Sequence, residues 1–459
     1  MKLTENDIFI KQKDLRQSGK LNDISYRKRL LKNLFLLIKE TEPEFLEALK
    51  ADLGKPEFEA YGSEVGVLLE EIKHAIKNIR HWTQAERVPT PLVHWPAKSF
   101  IFKEPLGNIL IISPWNYPVM LALVPAVSAI AAGNTVCIKP SEFSPKAAAY
   151  LSKICSHPSL EGVFLCVEGE GAKVVPELIA SGDFNHVFFT GSEKTGSLVY
   201  RAAAEHMIPV TLELGGKSPC IVDQNIPLKT TARRIVWSKF YNAGQTCVAP
   251  DYLLVHAAVE EALVKELKVA IYDFFGSDPK QSNSYARIHK SGHLDRLGSM
   301  LEGEQIIAGG EIDSTMGYMQ PTLVKIHQTT GKLMKEEIFG PILPIMTYKT
   351  EEEIYTIIAS MREPLALYVY SKDSSFIKRC IKNIPFGGGV SNGGLVHLAN
   401  MYLPFGGIGK SGFGCGHGKF GFDQFSHKKA WMHQAFSPDI PLRYPPYGKW
   451  IGILRRLMG

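Results

Sequence analysis

The sequence lacks the features that mark secreted and membrane-spanning proteins. Its seven cysteines are scattered and include no Cys-x-x-Cys pair, so they do not form the pattern of a disulfide framework. The first residues, MKLTENDIFIKQKDLRQ, are polar and contain no apolar core of a signal peptide. The longest strongly apolar segment, residues 118–132, is shorter than the roughly 20 residues that span a bilayer. We therefore expect a cytoplasmic protein in a reducing compartment.

The sequence also lacks the features of a nucleic-acid-binding protein. The formal net charge of +6 (52 basic minus 46 acidic residues) is spread along the chain, with no basic stripe that carries interleaved aromatic residues. The basic cluster at residues 27–29 lies on a helical pattern and is typical of a solvated face. We expect no nucleic-acid partner. The composition, 45% hydrophobic and 21% charged, is that of a globular protein long enough for two or three domains.

The first half of the chain changes pattern twice. Apolar residues recur at helical spacing over residues 23–50 and 58–80, which predicts helices. Residues 81–100 have no helical period and are rich in Pro, Trp and Val, which indicates an extended excursion such as a projecting strand pair. From Gly107 to residue 214, short apolar runs alternate with helical patterns. This alternation predicts a parallel sheet with helices on both faces.

A second alternating series predicts a second α/β domain that begins near residue 214. Strand-like runs occur near residues 220 and 252 and over residues 322–326, 342–347 and 366–370. Helical patterns separate these runs, and no internal repeat or low-complexity tract interrupts them. The predicted fold class is therefore α/β, with two doubly wound parallel-sheet domains.

Cys247 is the cysteine whose surroundings suggest chemistry. It follows a flexible polar turn in YNAGQTCVAP, residues 241–250. A thiol attacks as the thiolate, and its ordinary pKa is near 8.5, so a base or a cofactor's positive charge would have to assist. Five other cysteines lie in strand-like or helical patterns and are expected to be structural: Cys137, Cys155, Cys166, Cys220 and Cys380. Cys415, among glycines, is less easily dismissed.

Two polar side chains follow apolar runs, where open α/β sheets place their sites. Glu213 in LELGGKSP ends such a run just before a Gly-Gly turn, and a surface position is the alternative. Asn116 in ISPWNYP stands between prolines, where its amide could stabilise an oxyanion. The alternative for Asn116 is a cap of the helix that begins at Pro118. The residues alone leave these alternatives open.

Two further turns could bind a ligand. FTGSEKTGS, residues 189–197, joins a strand-like run to a helical pattern, where backbone N–H groups and the helix dipole favour a phosphate. It matches neither the P-loop nor the GxGxxG spacing, and a plain helix start is the alternative. In KEEIFGP, residues 335–341, Glu337 could equally lie on the surface.

Together these segments resemble the motif set of the NAD(P)-dependent aldehyde dehydrogenases. In chain order they are PWNYP, KPSE (139–142), FTGS, LELGGKSP, NAGQTC, EEIFGP and PFGGIGKSG (404–412). The resemblance extends from about residue 20 to about residue 435. The early first motif and LRYPPYGKW near the C-terminus are similar to the short class 3 branch, which acts on fatty and aromatic aldehydes. The sequence departs from the family pattern at two places. It has Ser113-Pro114 where class 3 relatives carry Gly-Ala, and Cys415 is not a family motif residue. Neither departure changes a residue with an implied catalytic role.

The resemblance implies an oxidation of aldehydes, medium- or long-chain aliphatic or aromatic, to carboxylic acids. Cys247 would attack the aldehyde, and the Asn116 amide with the Cys247 backbone N–H would stabilise the oxyanion. Loss of hydride would leave a thioester. Glu213 would activate the water that releases the acid, and it could help to deprotonate Cys247. No metal is implied.

The resemblance also implies NAD or NADP as cofactor, without deciding between them. The implied cofactor-binding residues are Trp115, Lys139, Glu142, Gly191, Ser192, Glu337 and Phe339. Lys139 and Glu142, both in KPSE, would lie at the adenosine ribose, and the FTGS turn would lie beside the pyrophosphate. Glu337 would take the nicotinamide ribose, and Phe339 would border the nicotinamide. Lys139 would favour a 2′-phosphate, whereas Glu142 would repel one.

The resemblance further implies that the chain is divided into a cofactor-binding domain, a catalytic domain and bridging segments, and that it forms a homodimer. Residues 1–80 and 104–213 would bind NAD(P), residues 214–410 would form the catalytic domain, and residues 81–103 and 421–436 would bridge subunits. The C-terminal GKWIGILRRLMG is too short to span a membrane, and we favour subunit packing over membrane attachment for it.

Two other functions compete with this interpretation. The first is an acylating enzyme that passes the acyl group to coenzyme A. Glu213 argues against it, because a hydrolytic enzyme is the one that needs a carboxylate to activate water. The second is a non-enzymatic binding protein on the same fold, against which the joint presence of Cys247, Glu213 and Asn116 argues.

Overall fold

The structure, a computed structural model, describes residues 3–181, 183–288, 292–361 and 363–458. The chain begins with a layer of helices: α1 (Leu3–Gln17), α2 (Ile24–Glu40), α3 (Glu42–Leu53), α4 (Glu57–Ala60) and, after a π-helical turn over Tyr61–Val65, α5 (Gly66–Trp82). The predicted helices over 23–50 and 58–80 are confirmed. Pro43 lies in the first turn of α3, and Gly54 ends it with a left-handed φ of 56°. The apolar faces of α2 and α5 are buried in one core.

Strands and helices alternate over the next hundred residues, as the sequence pattern predicts. After β1 (Glu86–Val88) and β2 (Ala97–Pro105), the elements are β3 (Asn108–Ile112), α6 (Met120–Ala132), β4 (Thr135–Lys139), α7 (Pro145–Cys155), β5 (Phe164–Cys166), α8 (Gly171–Ala180), β6 (His186–Gly191), α9 (Glu193–Glu205) and β7 (Val210–Leu214). Strand β3 directs Ile109 and Ile111 into one core and Leu110 and Ile112 into another. Both faces of this sheet are therefore covered.

The first sheet has the order β7-β6-β3-β4-β5, and all these strands are parallel. A two-residue strand from the C-terminal region, β17 (Gly412–Phe413), pairs antiparallel with β7. The chain leaves β3 toward β4 and later returns to its other side as β6. The crevice outside the carboxyl ends of β3 and β6 is therefore the topological switch point, where sheets of this kind bind ligands.

A second alternating series forms a second sheet. Its elements are β8 (Pro219–Val222), α10 (Leu228–Phe240), β9 (Tyr252–His256), α11 (Glu260–Phe275), α12 (His293–Met300), β10 (Gln305–Ala308), β11 (Ile312–Asp313), β12 (Tyr318–Met319), β13 (Thr322–Lys325), α13 (Lys332–Lys335), β14 (Ile342–Tyr348), α14 (Glu351–Ala359), β15 (Ala366–Tyr370), α15 (Ser374–Asn383) and β16 (Gly388–Ser391). The order is β10-β13-β14-β9-β8-β15-β16, parallel except for β10, while β11 and β12 form a separate ribbon. The α/β fold with two largely parallel sheets is confirmed.

A three-stranded arm completes the fold. After α16 (Gly418–Gln424), strand β18 (Ser426–Gln434) pairs along its whole length with β2, and β1 pairs with the other edge of β2. The predicted excursion is thus confirmed, although β2 extends to Pro105. Helix α16 and Phe425 pack in the first core, so the arm strand itself begins at Ser426 rather than at residue 421. The chain ends in α17 (Ile451–Met458). Within the described residues, no helix combines the length and apolarity needed to cross a bilayer.

Candidate active site

The two large sheets meet at a cleft of about 650 Å³. The first sheet contributes the segments that follow β3, β6 and β7, that is, the carboxyl ends of its strands. The second sheet contributes the turns that precede β9 and β14. The lining includes Pro114–Asn116, Thr190–Lys194, Glu213–Gly215, Cys247, Glu337 and Phe339. Eight of the ten site residues that the sequence predicts therefore lie in one cleft, at the crevice that the sheet topology marks.

Cys247 is positioned by a turn with an unusual backbone. Asn242, Ala243 and Gly244 all have left-handed φ angles, 51°, 51° and 76°, which is unfavourable for the two residues that carry a Cβ. The Asn242 backbone N–H donates to Glu59 at 3.0 Å, and its side chain donates to the Asn116 carbonyl at 3.1 Å. These hydrogen bonds stabilise the strained turn, and the turn fixes the position and direction of the chain at Cys247.

The Cys247 thiol is protonated at neutral pH in the protein alone. Burial raises its pKa to about 12, and the carboxylates of Glu337 and Glu213 add to the shift. The thiolate is the reactive form of cysteine. The surroundings of Cys247 therefore favour its protonated form.

Glu213 lies at the end of β7 and is buried, not on the surface. Its side chain is 4% exposed, and neither carboxylate oxygen has a hydrogen-bond partner among the described residues. Burial raises its pKa well above the usual value. Gly412 of β17 pairs with it across the sheet. A carboxyl group without a partner, which lines the cleft beside Cys247, is suited to accept a proton.

Asn116 does not cap the helix that follows it, because α6 begins only at Met120. Its side-chain amide donates to the Gln245 carbonyl at 3.0 Å and lines the cleft with Cys247. An amide group has two N–H donors, so this bond leaves one for a ligand. Asn116 is thereby tied to the segment that carries Cys247, two residues further along.

A buried ion pair that the sequence analysis did not find supports this loop. Lys55 and Glu64 form a 2.6 Å pair, and both side chains are inaccessible to solvent. Lys55 also donates to the Asn116 carbonyl at 3.1 Å, and Glu64 accepts from the backbone N–H groups of Val119 and Met120. No local motif marks the pair, because its role depends on contacts with residues about 60 positions away.

The FTGS turn fits both of its interpretations. The Ser192 hydroxyl caps α9 by accepting from the Thr195 N–H at 3.3 Å, so the turn is a helix start. Gly191 and Ser192 also line the cleft, with the N-terminus of a 13-residue helix beside them. A phosphate could therefore take the backbone donors of this terminus.

Glu337 and Phe339 form the opposite wall of the cleft. A Cβ on Gly215 would lie 1.9 Å from a Glu337 carboxylate oxygen, so only glycine permits this approach. Burial, then repulsion from Asp251, raises the pKa of Glu337 to about 8. The ring of Phe339 meets that of Trp115 edge to face, with centroids 5.5 Å apart. Glu337 is thus a cleft residue and not a surface acid.

Lys139 and Glu142 lie beside the cleft but do not line it. Lys139 is the last residue of β4, the strand next to β3, and Glu142 follows that strand. The two side chains form a 2.5 Å ion pair with each other. Glu142 also accepts from the Gly171 N–H at the start of α8, at 2.8 Å. Partial burial opposes ionisation of Glu142, but these donors outweigh it and lower its pKa. The charge of Lys139 is therefore already compensated.

Two more cavities meet the cleft at Cys247. A largely apolar cavity of about 200 Å³ extends past Tyr117, Trp237, Tyr241 and Phe405, and neither the turn at Gly191 nor the turn at Glu337 lines it. A small cavity of about 30 Å³ lies between, bordered by both Glu213 and Cys247. Cys247 borders all three. The Cys247 sulfur therefore lies where a polar ligand in the cleft would meet an apolar ligand in the 200 Å³ cavity.

Comparisons with known proteins agree with this geometry. The model of the aldehyde dehydrogenase family matches residues 14–431. The chain is 44% identical to the 4,4'-diaponeurosporen-aldehyde dehydrogenase of Staphylococcus aureus, over 96% of both chains. It is 40% identical to aldehyde dehydrogenase family 3 member A2 of Rattus norvegicus, over 94% of this chain and 89% of the relative.

Solved structures give the same result. The substrate-bound state of Staphylococcus aureus AldH superposes with a TM-score of 0.95, at 42% identity and 100% coverage of both chains. The glyceraldehyde-3-phosphate dehydrogenase GapN of Methanocaldococcus jannaschii, complexed with NADP, gives a TM-score of 0.85 at 26% identity over 94% of both chains. The fold and the cleft define an oxidoreductase that acts on aldehydes with NAD or NADP. This chain belongs to the aldehyde dehydrogenase family, and its resemblance to the class 3 branch is confirmed.

The buried ion pair gives a first prediction. We expect Lys55→Met to lower the free energy of unfolding by about 3–5 kcal/mol, because it leaves the Glu64 charge buried without a partner. Urea denaturation measures this change. Lys73→Met is the matched control: Lys73 pairs with Glu70 at the same 2.6 Å, but both side chains are more than half exposed, so little change is expected. Equal decreases in the free energy of unfolding in the two variants would contradict the conclusion that burial makes the Lys55–Glu64 pair important for stability.

The raised pKa of Cys247 gives a second prediction. At pH 9, Glu337 is mostly ionised and opposes the thiolate, so Glu337→Gln should lower the pKa of Cys247. We expect alkylation of Cys247 by iodoacetamide to be about three- to tenfold faster, since one unit of pKa changes the thiolate fraction about tenfold. Peptide mass spectrometry follows Cys247 alone. Glu336→Gln changes an exposed neighbouring side chain and should not change the alkylation rate. If Glu337→Gln does not accelerate alkylation, the charge of Glu337 does not raise the pKa of Cys247.

Proposed function

We propose that this enzyme oxidises apolar aldehydes, medium- or long-chain aliphatic or aromatic, to carboxylic acids through a thioester on Cys247. The observation that carries the proposal is the position of Cys247, which borders both the polar cleft and the apolar cavity. An aldehyde with a hydrocarbon chain would place the chain among Tyr117, Trp237 and Tyr241, and its carbonyl at the sulfur. The Staphylococcus aureus relative is named 4,4'-diaponeurosporen-aldehyde dehydrogenase, so its name likewise gives an aldehyde as the substrate.

Three residues would carry the reaction. Cys247 would give its thiol proton to Glu213, which would release it to solvent before the later step. The Cys247 sulfur then bonds to the carbonyl carbon, and the oxygen becomes an oxyanion that the Asn116 amide and the Cys247 backbone N–H stabilise. A donor of this kind contributes about 3 kcal/mol to a transition state. The bound nicotinamide ring would supply the hydride acceptor, and loss of the hydride leaves a thioester on Cys247. Glu213 takes a proton from water as the new carbon–oxygen bond forms and the carbon–sulfur bond breaks.

The residues of the cleft fit a dinucleotide. Gly191 and Ser192 offer the N-terminus of α9 to the pyrophosphate, and Glu337 offers a carboxylate to a ribose. Phe339 and Trp115 border the end of the cleft near Cys247. Lys139 and Glu142 would lie at the adenosine ribose, where their ion pair leaves no free cation for a 2′-phosphate. We therefore propose that NAD is preferred over NADP.

Release of the acyl group to water is favoured over its release to coenzyme A. Glu213 is buried, has no partner among the described residues and borders the small cavity beside Cys247, and a carboxylate in that position serves to activate water. A binding protein without activity would gain nothing from such a group, because an unsatisfied buried carboxyl costs stability.

The proposal predicts the outcome of one substitution and one product assay. Wild-type protein should form NADH and the carboxylic acid from a panel of aliphatic and aromatic aldehydes, faster with NAD than with NADP. Cys247→Ala should reduce turnover by at least a thousandfold while NAD still binds, as measured by calorimetry. Cys415→Ala, the control cysteine near the same cleft, should retain turnover. Acyl-CoA as the product, or turnover by Cys247→Ala, would refute the mechanism.

The division of the chain and its assembly are also proposals. We infer an NAD(P)-binding unit over 1–80 and 104–213, a catalytic unit over 214–410, and a homodimer bridged through 81–103 and 421–436. The arm presents exposed apolar side chains, among them Trp431 at 59% and Phe436, fully exposed. Such a surface is typical of a subunit contact. All seven cysteines are free thiols, which supports a cytoplasmic location.

The dimer gives a further prediction. Sedimentation velocity should show a species of twice the 51.0 kDa chain mass, and Trp431→Lys should weaken the dimer at least tenfold. Met207→Lys, at a 91% exposed side chain outside the arm, is the control and should leave the dimer intact. A monomeric wild type would refute the proposal. Helix α17 is proposed to take part in subunit packing, and co-sedimentation of the protein with liposomes would show membrane attachment instead; residue 459 lies outside the described residues.

A further inference from the structure

His417 is a buried histidine for which the proposed mechanism has so far no use. It precedes α16, is 7% exposed and has a left-handed φ of 67°. Its Nδ1 is buried and has no hydrogen-bond partner among the described residues. Its ring packs edge to face against Phe405, with centroids 5.3 Å apart. An unfavourable backbone and an unsatisfied nitrogen both cost stability, and such costs concentrate at functional sites.

The position of His417 connects it to the chemistry. It borders the 30 Å³ cavity together with Glu213 and Cys247, and it also borders the apolar cavity proposed for the substrate. Burial lowers the pKa of its imidazole to about 4, so the ring is neutral at physiological pH. A neutral imidazole has one nitrogen that donates and one that accepts a hydrogen bond.

The small cavity is suited to a water molecule. A volume of about 30 Å³ exceeds the roughly 10–15 Å³ that one water needs. Most of its wall is hydrocarbon, including Met120, Val124 and Phe188, while Glu213 and His417 contribute unsatisfied polar groups. A water with two polar partners there would satisfy both groups at once.

We propose that His417 is a positioning residue that, together with Glu213, holds in this cavity the water that releases the acid from Cys247. The inference rests on the thioester mechanism proposed above. The water oxygen bonds to the thioester carbon, the carbon–sulfur bond breaks, and the sulfur leaves as thiolate. Glu213 accepts the proton from the water. His417 orients the water through one hydrogen bond and neither gains nor loses a proton.

The experiment compares His417→Leu with His417→Asn in a rapid-mixing assay of NADH formation. Leu and Asn have similar shapes, but only Asn keeps a hydrogen-bonding group. We expect His417→Leu to give a burst of about one NADH per active site, followed by a steady rate lowered roughly ten- to a hundredfold. Intact-mass spectrometry should show the acyl adduct. His417→Asn should recover most of the steady rate.

Controls separate this role from a structural one. Lys419→Met disturbs the helix that His417 precedes, because it removes the ion pair of Lys419 with Asp423, but Lys419 does not line the cavity. The steady rate of this variant should stay within about threefold of wild type, with no adduct. Hydroxylamine, a stronger nucleophile than water, should speed turnover of His417→Leu and yield the hydroxamate. His417→Met replaces His417→Leu if the latter does not fold, because Met adapts to irregular space.

Three results would overturn the proposal. They are an unchanged steady rate in His417→Leu, an effect on KM alone, and a slowed burst in both the Leu and Asn variants. An effect on KM alone would make His417 a substrate contact, and a slowed burst would make it a structural residue. Failure of the underlying function is distinguishable from all three, since the wild type itself would then form no NADH.

Discussion

The position of Cys247 depends on hydrogen bonds between the N-terminal helices and a strained turn. Asn242 and Ala243 would not hold a left-handed backbone by themselves, at a cost of about 1–3 kcal/mol each. The Glu59 carboxylate and the Asn116 carbonyl bind this turn, and the Lys55–Glu64 pair in turn fixes the loop of Asn116. The helical layer thus does more than cover the first sheet. It determines where the sulfur stands relative to the cleft.

The electrostatics of the cleft disfavour the thiolate of Cys247. Glu213 and Glu337 are both buried close enough to Cys247 to raise its pKa, and each has a raised pKa of its own. Lys217, a buried cation that acts on Glu337, is paired with Asp251. A positive charge that binds in the cleft would favour the ionised forms of Cys247, Glu213 and Glu337 at once. Ligand binding and activation of the nucleophile are therefore coupled through charge alone.

Much of the fold and most of the candidate site could be predicted from the sequence. Alternating apolar runs and helical patterns predict the strands of both sheets because buried parallel strands are continuous apolar runs. Short or polar strands such as β16 and β17 have no such signal, since their pairing depends on partners far along the chain. The motif residues were found because they lie at or near strand ends and because their segments together resemble one family's motif set. Lys55, Glu64 and His417 were missed because their roles arise only from tertiary contacts.

The pairing of Gly412 with Glu213 has a consequence for how the protein is made. The two residues are 199 positions apart (412 minus 213), and a Cβ on Gly412 would lie 2.0 Å from the Leu212 carbonyl oxygen, so the strands fit closely. On the ribosome, β7 keeps an open edge until nine-tenths of the chain has been synthesised. Contacts of such large sequence separation form late and slowly. During synthesis the edge of β7, which carries Glu213, therefore stays unpaired for a long interval.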